Sequence, residues 1–167
     1  VFTKGGYWDI ELKRNPKRVK KYLSENTLYM QPINFINLRF PGILCSRKNN
    51  SRPWLQTLIN KIKNHENIKV HNINNYFNNV IDTQEIARLI IKIIQKRKTI
   101  RETFNLSASQ PLKLKRIIQI IKSKYQSKSK IKSLKQNQDS YTISIKKITE
   151  KLNFYPTSTK KIILRNL

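Results

Sequence analysis

Glycine is almost absent from this chain: Gly5, Gly6 and Gly42 are the only three in 167 residues. That excludes a Gly-rich loop of the G-x-x-G-x-x-G kind, which lets backbone N–H groups close on a pyrophosphate at a helix N-terminus. Cysteine is scarcer still, and a single Cys45 excludes an internal disulfide framework. The two histidines, His65 and His71, have no Cys or carboxylate at ligand spacing, so no metal site is indicated. No apolar run approaches the roughly 18 to 20 residues that span a bilayer, and the N-terminus carries no apolar signal core, so a soluble, cytoplasmic chain is expected. Negative charge is also short: nine Asp and Glu face 35 Lys and Arg, for a formal net charge of +26. Such an excess attracts phosphate-bearing partners. The abundance of Ile, Asn, Lys and Tyr, all with AT-rich codons, offers a compositional origin for part of it.

The residues present alternate between two periods. PKRVKKYLSENTLY, from Pro16, spaces Val19, Tyr22, Leu23 and Leu28 as a surface helix with one buried stripe. INFINLRFPGIL then reads as a strand closed by a turn at Pro41-Gly42. Pro53 opens a helix that aligns Trp54, Leu55, Leu58, Ile59 and Ile62. IKVHNI and FNNVI are strand candidates, and Asp82 or Thr83 caps the helix that follows, with Glu85 near its positive end. That helix is apolar over more than half its circumference, so it is expected to pack on a sheet and to be covered elsewhere as well. ETFNLS is a strand, Pro111 opens a further helix, IKSLK is an edge strand, SIKKITEKLNF is a helix ending near Asn153, and TSTKKIILRNL closes the chain as a short helix. Strands alternating with helices point to an α/β class with a largely parallel sheet.

Four segments in this order resemble one family. LRFPGIL, NNVIDTQEIARLI, ETFNLSASQPLKLKRIIQII and SIKKITEKLNFYPT together are similar to the C-terminal half of the NAD-dependent epimerase/dehydratase family, the extended short-chain dehydrogenases that act on nucleotide sugars. The resemblance covers nearly everything after about Ile33. It implies the C-terminal part of a Rossmann-like parallel sheet plus a small α/β substrate-binding lobe. Residues 1–48 would end the dinucleotide-binding sheet, and 49–167 would form mainly the lobe, with one strand and helix returning to the main sheet. Val1 opens the sequence without Met, so a chain cut from a longer one is expected.

The resemblance also implies roles. The family's proton transfer uses a Tyr-x-x-x-Lys pair, in which Lys lowers the Tyr pKa and holds the cofactor ribose. The spacing expected for that Tyr, about 26 residues before Arg39, lands near Lys13, which leaves Lys17 at the lysine position and no tyrosine. A plain surface lysine is the alternative for Lys17. Pro41 and Gly42 match the turn beside the nicotinamide end of the cofactor, NAD or NADP, or else simply end a strand. Arg52 and Asn78, with Asn79, stand where the family meets the nucleotide sugar, and Arg52 is equally readable as a solvated cation. Asp82 is a helix cap or a catalytic acid. Lacking the Gly-rich loop and the Tyr, the chain alone is expected to bind cofactor poorly and to be a partial, inactive homologue, unless an N-terminal half or a separate chain completes it. A basic α/β module binding nucleic acid or another polyanion is the alternative, with weak, nonspecific association expected from lysines spread over every helix.

Overall fold

A computed structural model of the chain describes residues 16–44, 53–96, 100–134 and 141–167. Its contacts divide it into two units, one of residues 1–39 with 97–104, the other of 40–96 with 105–167.

In the first unit, helix α1 (Pro16–Met30) is followed by strand β1 (Phe35–Arg39), which pairs with β6 (Arg101–Asn105). The Phe35 N–H donates to the Ile100 carbonyl at 2.9 Å. The end of α1 leaves carbonyls without intrahelical donors, and the Arg101 guanidinium supplies them, donating to Tyr29 O and Gln31 O at 2.6 Å each. Tyr29 stands edge-on to Phe35, with ring centroids 4.8 Å apart, and its hydroxyl donates to Thr103 Oγ1. The stripe expected on α1 is displaced: Tyr22 and Leu23 are exposed, whereas Val19, Glu25 and Leu28 are half-buried. Glu25 is drawn in by Arg39, whose Nε donates to both carboxylate oxygens at 2.9 and 3.1 Å while Nη2 adds a second contact to Oε2.

These bonds from Arg39, more than its charge, hold the Glu25 carboxyl below the usual carboxylate range against the opposing effect of burial. The folded pKa is depressed, so the pair's contribution is fully present above the ordinary carboxylate pKa and is lost as pH falls through the folded value. Glu25→Gln should therefore cost up to about 1 kcal/mol in urea unfolding near neutral pH, and the difference from the parent should shrink as pH falls below the ordinary carboxylate range.

The second unit starts where Pro41, having no N–H to give, ends the β1 ladder. The chain resumes as β2 (Gly42–Leu44), parallel to β5 (Val80–Asp82) with Gly42 opposite Val80 and Leu44 opposite Asp82. Residues 40–44 thereby group with this unit, through their pairing to β5. Helix α2 (Pro53–Lys63) buries Leu55, Leu58, Ile59 and Ile62 as its spacing predicts, and Trp54 remains partly exposed. Strand β3 (Ile68–Val70) runs parallel to β8 (Ile131–Ser133), and β4 (Tyr76–Phe77) antiparallel to β7 (Leu112–Lys113). Helices α3 (Thr83–Lys96), α4 (Leu114–Lys124), α5 (Lys146–Leu152) and α6 (Thr159–Arg165) complete it.

The core of this unit gathers Val80, Ile81, Leu89, Leu106, Ile117, Ile118, Ile121, Ile148, Leu152 and Ile162, each at most 1% exposed. Side chains of this kind contribute about 1.5–3 kcal/mol apiece when removed from water. Local chemistry places several boundaries. Asn153 ends α5 in the left-handed region at φ 50°, a conformation asparagine tolerates well. The Ser158 hydroxyl accepts from the Lys161 N–H to start α6. The helix expected from Pro111 begins three residues later, because Leu112 and Lys113 are taken up by pairing with β4 and the Leu114 N–H donates to Asn75 O at 3.0 Å. Here a tertiary contact overrides a local start signal. Among the described residues, no helix is long and apolar enough to cross a membrane.

Candidate functional site

An open cavity of about 730 Å³ lies within the second unit, between α2 and the β3 and β4 segments. Its volume falls in the usual range of small-molecule clefts. Helical spacing sets one wall: Trp54, Leu58 and Lys61 recur on a single face of α2 and all line it. The Trp54 ring meets Phe77 edge-on, with centroids 5.3 Å apart, which fixes the indole over the cavity. Tyr76 and Tyr141 add two further aromatic walls, and β3 contributes Ile68, Lys69 and Val70. Trp54, Tyr76 and Tyr141 are 40%, 55% and 58% exposed. Lys61, Lys69 and His71 stand at the rim, and Lys113 Nζ lies 5.7 Å from the centre of the Tyr76 ring. A flat apolar group carrying anionic substituents fits such a lining.

Asn79 also lines the cavity, is 8% exposed, and its Oδ1 has no hydrogen-bond partner. Its neighbour is quite different. Asn78 is 2% exposed and spends its amide on backbone: Nδ2 donates to Ala108 O at 3.0 Å and Ile143 O at 2.9 Å, and Oδ1 accepts from the Ile143 N–H at 2.8 Å. It ties three distant segments together directly beneath the cavity wall. Lys17 lies in α1 but its side chain is outside the described residues, as is all of Arg52. Pro41 and Gly42 do not line the cavity; Gly42 is buried within the β2–β5 pairing.

Asp82 does cap α3, accepting from the Glu85 N–H at 3.0 Å. It also joins a buried ionic cluster that no local pattern announces. Asp82 and Glu85 are each 2% exposed, and Arg165, 83 positions from Asp82, donates Nη2 to Asp82 Oδ1 at 2.7 Å and to Glu85 Oε1 at 3.3 Å. Arg88 and the Thr157 hydroxyl and N–H complete the pairing of Glu85. Burial pulls the Arg165 pKa down, but the bonds and charges of Asp82 and Glu85 together more than reverse this and leave it above the ordinary arginine value. With every carboxylate oxygen already engaged, the cluster fastens the C-terminal helix to the start of α3. Among the described residues, no group of three or more His, Cys, Asp or Glu side chains is placed to hold a metal ion.

No family model matches the sequence, and no curated protein matches it either. Solved structures do match in fold. UDP-glucose 4-epimerase from Thermotoga maritima, solved with UDP-glucose, superposes with a TM-score of 0.69 at 12% identity, over 87% of this chain and 50% of its own. RMD from Pseudomonas aeruginosa, complexed with NADPH, gives 0.68 at 15% over 91% and 56%, and UDP-N-acetylglucosamine 4-epimerase from Bacillus cereus gives 0.65 at 15% over 89% and 52%. The chain thus has the Rossmann-like α/β fold of nucleotide-sugar epimerases and dehydratases and spans about half the length of these structures.

The fold implies a dinucleotide, and the described residues do not form a full cradle for one. Gly42, the one described glycine, is used inside a strand pair, and the N-terminus of α3 is already filled by the Asp82 carboxylate, which would repel a pyrophosphate.

Proposed function

We propose that this chain is the substrate-side portion of an NAD(P)-dependent nucleotide-sugar epimerase or dehydratase, and that it holds the nucleotide in the cavity over Trp54. The observation that carries the reading is the cavity itself: three partly exposed aromatic rings and a lysine-bearing rim, set in a fold shared with enzymes solved with UDP-sugars. Rings take the base by stacking, and Lys61 and Lys69 meet the diphosphate. Arg52 serves the same phosphates. The Asn78–Asn79 pair serves the substrate jointly, Asn78 by holding the backbone from beneath and Asn79 by presenting its amide.

On this reading Lys17 occupies the lysine of the proton-transfer pair, and Pro41 with Gly42 borders the nicotinamide end of a cofactor whose pyrophosphate is held elsewhere. The chain alone is inactive, and a cytoplasmic setting suits its substrate. Calorimetric titration should detect UDP-glucose and leave NAD and NADPH unbound, and Trp54→Ala should weaken UDP-glucose by roughly tenfold or more, in line with the worth of one stacked base. Absence of UDP-glucose binding to the folded chain would contradict the reading.

A further inference from the structure

Lysines spread over all the helices suggest diffuse association with polyanions, but the folded arrangement is less even. In the described part of the second unit the acidic side chains are Glu66, Asp82, Glu85 and Glu150, and Asp82 and Glu85 are buried with Arg165. Glu150 lies on α5, 3.7 Å from Lys146. Around β3 and β8 the described acidic side chain is Glu66, exposed two residues before β3, against Lys61, Lys69, Lys130 and Lys132.

Lys69 and Lys132 are direct partners in the parallel β3–β8 register. Ile68 and Val70 point inward, so Lys69 points outward, and its register partner Lys132 projects beside it; both are exposed. Like charges side by side on one face of a sheet are destabilising, and an anion bridging them relieves the repulsion. Lys69 is at the same time part of the cavity rim, with Lys61. The cationic ridge thus begins at the mouth of a cavity walled by Trp54, Tyr76 and Tyr141. Lys132 lies beside Lys69, within reach of the same phosphates, and exposed Lys130, two residues before it, carries the ridge further.

Exposed rings beside a track of lysines are the two elements with which proteins hold single-stranded nucleic acid: bases stack, and phosphates follow the charge. We infer that this face binds a single strand of several nucleotides, one base seated among the aromatic rings and the following phosphates crossing Lys69 and Lys132. The occupant is a polymer, and the site reads no particular sequence.

The test is fluorescence anisotropy of the full chain with a labelled octauridylate at several salt concentrations, competed by UMP and set beside a UDP-glucose titration. The octamer should bind at least about tenfold more tightly than UMP, since added phosphates meet added lysines. Lys69→Gln with Lys132→Gln should lower the slope of log K against log salt by about 0.7 for each lysine, the single-strand value per phosphate contact. Trp54→Ala with Tyr141→Ala should weaken the octamer by roughly tenfold to hundredfold, with circular dichroism verifying the fold of both pairs. The control pair Lys160→Gln and Lys161→Gln, exposed on α6, should leave the slope unchanged. An octathymidylate identifies the source: tighter ribo-oligomer binding names RNA, weaker binding names DNA, and equal binding means that the site takes bases and phosphates and ignores the 2′-hydroxyl.

An octamer no tighter than UMP, or an equal loss from the α6 pair, would overturn the inference. UDP-glucose bound with the octamer excluded overturns it while leaving the nucleotide-sugar reading intact, and the opposite pattern does the reverse.

Discussion

Asn78→Ala should destabilise the chain by about 3–5 kcal/mol. The amide of Asn78 satisfies Ala108 O, Ile143 O and the Ile143 N–H, and the residue is 2% exposed. Truncation strands three backbone groups away from water, and each such group costs about 1–3 kcal/mol. The methyl that remains restores none of these bonds. Urea unfolding measures the loss. A penalty below about 1 kcal/mol accompanied by a selective fall in UDP-glucose affinity would instead make Asn78 a direct substrate contact.

The second large effect is expected at the other end of the chain. Arg165→Met removes the cation shared by two carboxylates that are each 2% exposed. Breaking a buried pair from one side costs about 3–5 kcal/mol, because the surviving charge stays desolvated. Here the guanidinium is 31% exposed and Arg88 still reaches Glu85, so water and that second arginine recover part of the loss. A value of about 3 kcal/mol is expected from thermal or urea melts. A change under about 1 kcal/mol would mean that α6 is held by its apolar residues, Ile162 and Ile163, and that the ion cluster adds little.

Much of the fold was readable because its signals are local. Helical spacing placed α2 and its buried Leu55, Leu58, Ile59 and Ile62, the Asp82 cap located the start of α3, and Asn153 marked the end of α5. What escaped depends on partners far along the chain. The start of α4 moved from Pro111 because β4 captures Leu112 and Lys113, and nothing near Pro111 encodes that pairing. Tyr22 and Leu23 turn outward because the inward position on α1 goes to Glu25, which needs Arg39 to be stable there.

The candidate site was legible only in part. Trp54 reads as one position of the apolar face of α2, and no local pattern marks Tyr76, until β4 and α2 bring them together with Tyr141 around one cavity. Asn78 and Asn79 were both marked by the family resemblance, as residues facing the nucleotide sugar. They form the link between β4 and β5, where the Asn78 amide is consumed by the backbone of Ala108 and Ile143 while Asn79 lines the cavity. The signal that could have found Lys69 and Lys132 is the parallel register, which no single sequence displays.

The most direct test of the central claim, that the cavity over Trp54 is a nucleotide site, is the indole N–H spectrum of the labelled chain. The sequence holds two tryptophans, Trp8 and Trp54, so each resonance is assignable by substitution. UDP-glucose should shift the Trp54 indole in a saturable way, and glucose alone should leave it in place. A Trp54 resonance unmoved by UDP-glucose would contradict the account.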